Sequence, residues 1–198
     1  MNRPFFVMSM ACGKGEKAVP HSLKGKRRIL VVGSSGAGKS TLARQLGQAL
    51  GLPVIHLDQL YWTPGWEARS HGEFDALLAE ALAGDAWIID GNYQRTLETR
   101  LARADCVVWL RFPRVVCEWG VLKRVLSTRG KTRPDMAPGC PERLDWEFLR
   151  WVWDFPKQDG ARVKEILARH PEVPVITLEN GRRRNRLLRE VRENSGRV

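Results

Sequence analysis

The 198-residue chain is 43% hydrophobic and contains eight Trp, which excludes a disordered or low-complexity polymer and suits one domain with a sizeable core. The net charge of +11 points to a polyanion partner until it is divided: residues 1–28 hold seven Lys or Arg against one Glu, 182–198 hold seven Arg against two Glu, and 29–181 carry nineteen of each sign. Basic ends attract polyanions without specificity, and a neutral body gives no sign of an extended DNA-binding face.

Four cysteines, Cys12, Cys106, Cys117 and Cys140, show no paired metal-ligand spacing. Cys106 and Cys117 fall in apolar segments, so reduced thiols, a cytoplasmic setting and no zinc site are expected. Residues 1–27 read as a disordered basic leader, with Met8 or Met10 as alternative starts. The apolar segment 5–11 is too short and too poorly flanked for a signal peptide, and no run reaches the length of a membrane span.

The run 28–32, Arg-Ile-Leu-Val-Val, is short, apolar and β-branched, as a buried parallel strand requires. Gly33-Ser34-Ser35-Gly36-Ala37-Gly38-Lys39-Ser40 follows, fitting Gly, four residues, Gly, Lys, then Ser or Thr. A loop whose amides wrap phosphates at close range needs glycines. Lys39 can follow the β- and γ-phosphates of ATP, and Ser40 can ligate Mg²⁺. Thr41 opens the helix whose N-terminus attracts negative charge. Leu42, Leu46, Ala49 and Leu50 recur at helical spacing up to Gly51. This strand, loop and helix order outweighs a plain glycine-serine turn.

The stretch 53–58 predicts a second strand ending in Asp58, where open α/β sheets bind ligands; a turn cap is the competing use. His56 reads as structural, with no ligand partner nearby. Tyr61, Trp62 and Trp66 surround Thr63-Pro64-Gly65, and the loop either stacks a substrate or simply buries area. Helical periodicity from Phe74 to Leu82 precedes a third strand, 87–90, ending in Asp90. Two strand-end carboxylates beside the phosphate loop make a coherent site, in which Asp90 supports the metal and Asp58 positions the acceptor and takes its proton if that is a hydroxyl. Gly91 permits close approach of a ligand, Asn92 joins it, and Arg95 is either a planar fork for an anion or a solvated helix start.

A fourth strand spans 106–112 and a helix 115–127. The basic cluster 128–134 predicts a mobile lid with Arg124, Arg129, Lys131 and Arg133; charge stabilisation and water exclusion are what phosphoryl transfer needs. Without the phosphate loop, a solvated charged face would be preferred. A helix at 145–155 groups Trp146, Leu149 and Trp153 with Phe148, Val152 and Phe155 as core packing. A helix at 161–169, an edge-type strand at 173–178 and a basic helix from Arg182 end the chain. That last helix reads as a solvated amphipathic element before it reads as a nucleic-acid contact.

These residues resemble the P-loop small-molecule kinases related to adenylate kinase and shikimate kinase. Residues 33–41, 55–58 with 64–66, 87–93 and 129–153 are similar in more detail to bacterial DNA topology modulation proteins. The combinations Asp-Gly-Asn-Tyr and Arg-Pro-Asp-Met…Gly-Cys-Pro-Glu-Arg carry that likeness. The resemblance implies a five-stranded parallel sheet flanked by helices in three α/β/α layers. It further implies an ATP site at the phosphate loop, and a lid at about residues 128–145 whose arginines, Arg129 and Arg133 above all, reach the transferred phosphoryl. Asp90-Gly91 matches the adenylate kinases, but Asn92-Tyr93-Gln94 stands where they carry Phe-Pro-Arg, and Tyr61 where they carry Arg. The expected function is ATP-dependent phosphoryl transfer to a small molecule, nucleoside monophosphate-like or a hydroxylated metabolite, by a kinase domain over residues 28–198. The alternative is a nucleotide-switched, nucleic-acid-associated protein that modulates DNA topology.

Overall fold

In the computed structural model, residues 22–128, 130–142 and 145–195 are described. Residues 1–21, Arg129, the two residues before Asp145 and residues 196–198 lie outside this set. So do most of the predicted leader and one of the two favoured lid arginines.

The chain runs β1 (Arg28–Gly33), α1 (Lys39–Leu50), β2 (Val54–His56), α2 (Leu57–Tyr61), β3 (Trp62–Thr63), β4 (Glu67–Ala68), α3 (His71–Ala83) and β5 (Trp87–Asp90). It continues with α4 (Leu97–Leu101), β6 (Cys106–Leu110), α5 (Arg114–Thr128), α6 (Trp146–Asp154), α7 (Asp159–Arg169), β7 (Val175–Leu178) and α8 (Gly181–Ser195). The sheet is five-stranded and parallel, in the order β2-β5-β1-β6-β7. β1 is central because both its faces are apolar: Ile29 and Val31 pack with α1, α5 and α8, while Leu30 and Val32 pack with α3, α4 and α7. Near-continuous apolar strands are what a sheet covered on both faces demands.

Three differences from the sequence reading have physical causes. The second strand stops at His56, and Asp58 sits in the first turn of α2, where a carboxylate suits the helix N-terminus. The aromatic turn is a two-stranded hairpin, β3 with β4, too short for periodicity to register. Trp146 and Trp153 are not core; they are 75% and 45% exposed, and Leu149, Val152 and Phe155 do the packing. α6 has one neighbouring helix face to meet, so only one side of it is covered. The leader boundary also shifts: Leu23 is 1% exposed and joins the core against α1 and β1.

Candidate active site

Gly33 ends β1 at φ +145°, and a Cβ there would stand 2.4 Å from the Leu110 carbonyl oxygen. Gly36, at φ +77°, lies against α5, where a Cβ would meet the Cys117 carbonyl oxygen at 1.9 Å. The glycines are therefore fixed by packing as well as by the ligand they would admit. Lys39 Nζ donates back to the Ser34 carbonyl (3.1 Å), and burial pushes its pKa down while Asp90 and Asp58 hold it up.

Ser35, Gly36, Gly38, Lys39, Ser40 and Thr41 line one side of a cavity of about 840 Å³. Gly33, Ser34 and Ala37 stand behind that wall, with Ser34 and Ala37 buried. Asp58, Asp90, Gly91 and Asn92 line the same cavity, as do Arg124 and Arg133. The structure thus brings together the loop, both carboxylates and one favoured lid arginine.

Arg95 is not brought in. It makes a two-pronged pair with Asp75 on exposed α3, Nη1 to Oδ2 at 2.9 Å and Nη2 to Oδ1 at 2.6 Å, because a partly exposed aspartate lies within reach on the outer side of the loop. Lys131 is likewise exposed and off the cavity wall. Gly91 lines the cavity and also packs on Leu57, where a Cβ would stand 2.9 Å from the side chain. Asn92 acts first on the backbone, accepting from Gly33 N (3.0 Å) and donating to Gly33 O (2.7 Å), which clamps the loop after β5 to the end of β1.

His56 does have a partner. Parallel register sets it beside Asp90, and its Nδ1 lies 2.9 Å from Asp90 Oδ2, both side chains being buried. The other oxygen, Asp90 Oδ1, is buried with no hydrogen-bond partner among the described residues. A hard cation would satisfy it. Mg²⁺ keeps several waters and asks of the protein only one or two oxygen ligands beside substrate phosphates, so Ser40 Oγ and Asp90 Oδ1 fit such an ion.

Several working residues were not read from the sequence. Tyr93, at φ +29°, donates its hydroxyl to Asp58 Oδ1 (2.7 Å). Burial drives the Asp58 pKa upward, and the Tyr93 hydrogen bond partly opposes that. Arg100, fully buried, spans the loop from inside and donates to the carbonyls of Gly91 (3.0 Å), Asn92 and Tyr93 (2.9 Å). Arg100 stands beside Glu98 between Leu97 and Leu101 on a short helix, and that pattern does not distinguish it from a surface charge.

In the lid, Arg133 pairs with Asp135 (2.6 Å) and with Glu142, and Arg124 pairs with Glu142 (3.3 Å). Asp135 also interacts with the Ser40 hydroxyl and, despite its burial, has a lowered pKa, held down by Arg133 and Ser40. The segment is pinned to the hairpin: Gly65 N donates to Gly139 O (2.9 Å), Trp66 Nε1 to Pro141 O (3.1 Å), and Gln59 Nε2 to Pro134 O (2.7 Å). Met136 and Cys140 pack on Trp62 and Trp66. Where composition predicts a mobile basic lid, Arg124 and Arg133 are paired with carboxylates of the same region and the aromatics bury Met136 and Cys140.

No family model matches the chain. Over 159 residues it is 30% identical to an adenylate kinase from Gloeobacter violaceus, a match covering 60% of this chain and 71% of that protein. The chain belongs to the adenylate kinase family of P-loop kinases. A shorter match, 33% over 66 residues, relates the kinase to a cytidylate kinase of Nitratidesulfovibrio vulgaris, over 32% of this chain and 28% of that one. A shikimate kinase from Acinetobacter baumannii, solved in complex with shikimate, shares the fold of the kinase at a TM-score of 0.57 and 21% identity, over 89% of this chain and 97% of its own.

Proposed function

We propose that the kinase moves the γ-phosphoryl group of ATP to a hydroxyl of a small molecule held between α2, the loop after β5 and the lid. One observation carries this: Lys39, Asp58 and Asp90 line the same cavity, and Asp90 Oδ1 is buried there without a hydrogen-bond partner among the described residues. The amides of 35–38 and Lys39 bind the phosphates, Ser40 and Asp90 hold Mg²⁺, and Arg133 and Arg124 lie where charge develops during transfer. Bound Mg²⁺ would neutralise phosphate charge. Asp58, oriented by Tyr93, accepts the hydroxyl proton. Purified protein, ATP and Mg²⁺ with a panel of small hydroxyl compounds should yield ADP and phosphorylated product in step, and Lys39→Ala should lose both. Full transfer by that variant would refute the assignment.

A second reading, nucleic-acid association of the kind the topology modulation resemblance suggests, rests on α8. Arg182, Arg183, Arg186 and Arg189 are exposed there, and only Arg183 and Arg186 have a carboxylate partner among the described residues. It predicts duplex binding that falls steeply with salt and disappears when 182–198 is removed. Binding that survives the deletion counts against it.

A further inference from the structure

We infer, building on the kinase reading, that the phosphoryl acceptor is a hydroxyl compound carrying no negative charge, held by an aromatic wall and by carboxylates. Phosphate- or carboxylate-bearing acceptors are recognised by arginines free to form paired hydrogen bonds with them. Here the described arginines around the acceptor half are already committed. Arg95 is turned outward onto Asp75, Arg100 is spent on backbone carbonyls, and Arg133 is held between Asp135 and Glu142. Arg124 shares Glu142. Arg44 lines the cavity from α1, one turn beyond Ser40 and so on the phosphate-loop side.

What does face the acceptor space is of another kind. Trp62 and Trp66 meet edge to face at 5.6 Å and line the cavity. Tyr61 packs between Trp62, at 5.0 Å, and Tyr93, at 5.0 Å, which carries the aromatic wall round to the Asp58 carboxylate that Tyr93 orients. Asp135 adds a second carboxylate from the lid. An anion entering here would sit against Asp58 and Asp135, while Arg124 and Arg133 are already paired with carboxylates and the other described cations of the cavity, Lys39 and Arg44, belong to α1. An uncharged ring or polyol, or a cation over the indole faces, meets attraction instead.

The step balances without another reactant. The acceptor oxygen forms a bond to the γ-phosphorus, the bond from that phosphorus to the β,γ-bridging oxygen breaks with its electron pair leaving on ADP, and the hydroxyl proton passes to Asp58.

The test uses matched pairs that differ in charge: adenosine beside AMP, cytidine beside CMP, methyl shikimate beside shikimate, and sorbitol beside gluconate. Binding is followed by tryptophan fluorescence with a non-hydrolysable ATP analogue and Mg²⁺ bound, and turnover by ADP and phosphorylated product with ATP. The expected result is that in at least one pair the uncharged member binds and turns over at least tenfold better than its anionic partner. Preference for the anionic member in every pair that responds overturns the inference while leaving the kinase reading intact; so does silence of all pairs in a protein that binds the analogue. Acceptor-independent ATP hydrolysis instead overturns the kinase reading itself. Asp135→Asn takes one carboxylate charge from the acceptor space and one of the two partners from Arg133, which keeps Glu142; it should move the uncharged-to-anionic affinity ratio at least fivefold toward the anion, whereas Asp135→Glu should leave it in place. An unchanged ratio in Asp135→Asn contradicts the proposal.

Discussion

The two walls of the cavity are built on different principles. The phosphate wall is one run of seven consecutive residues, 35–41, all but Ala37 lining the cavity, from the loop and the first turn of α1, and its chemistry is carried by backbone amides and the glycines that let them converge. The acceptor wall draws Asp58 from α2, Trp62 and Trp66 from the hairpin, Tyr93 from the loop after β5, and Asp135 from the lid. On the proposed reading, phosphate would be recognised by something local in the chain and the acceptor by side chains that only the fold brings together.

That contrast can be broken at either wall. Lys39→Ala removes the mobile cation of the phosphate wall and should lower kcat/KM on the order of 10²–10³-fold, read by steady-state turnover. On the same wall, Gly36→Ala forces a Cβ to within 1.9 Å of the Cys117 carbonyl oxygen and should cost about 3 kcal/mol or more. Gly51→Ala is the control: its φ is +67° but no atom lies within 4 Å, so denaturant melting should register only about 1–2 kcal/mol.

On the acceptor wall, Arg100→Met leaves buried carbonyls of 91–93 unsatisfied and should destabilise by about 3 kcal/mol, with acceptor KM rising more than ATP KM. Either equal loss on both substrates or no loss of stability would contradict the supporting role given to Arg100.

Asp58 should show in the pH profile. Burial raises its pKa above the ordinary 3.8, and transfer needs the carboxylate, so activity should fall, as pH falls, at a higher pH than an exposed aspartate would give. Tyr93→Phe removes the hydrogen bond that lowers this pKa and should move the acid limb to still higher pH. The stability sign is opposite. A carboxyl whose folded pKa is raised supports the fold below its unfolded value and loses that support as pH rises through the folded one. Asp58→Asn should therefore melt higher at neutral pH while turning over slowly. The smallest effect belongs to Arg95→Ala: its exposed pair with Asp75 is screened by solvent, so neither denaturant melting nor acceptor KM should change measurably.

The same division governs what could be read from the sequence. The five parallel strands, the long helices and the phosphate loop were visible, because periodicity and one fixed spacing are local properties. The rule that ligands sit beyond strand ends pointed to Asp58 and Asp90, and both line the cavity, although Asp58 stands in α2 rather than on β2. Arg95 was left between an anion fork and a solvated helix start because nothing in the chain order reveals that Asp75, twenty residues earlier, lies within its reach. His56 was set aside for the same reason; its register with Asp90 exists only once β2 pairs with β5. Arg100 and Tyr93 act through contacts seven to thirty-five residues apart, and Asp135 lay in a quoted motif whose spacing says nothing about Ser40.

The ties between hairpin and lid bear on affinity as well as shape. Gln59, Gly65 and Trp66 hold the segment 134–141 before any ligand arrives, and Met136 and Cys140 are buried against the same indoles. Ordering these side chains and this backbone is thus completed when the chain folds. The acceptor does not have to supply that entropy from its own contacts, so a small molecule with few polar groups can be retained by a preorganised wall.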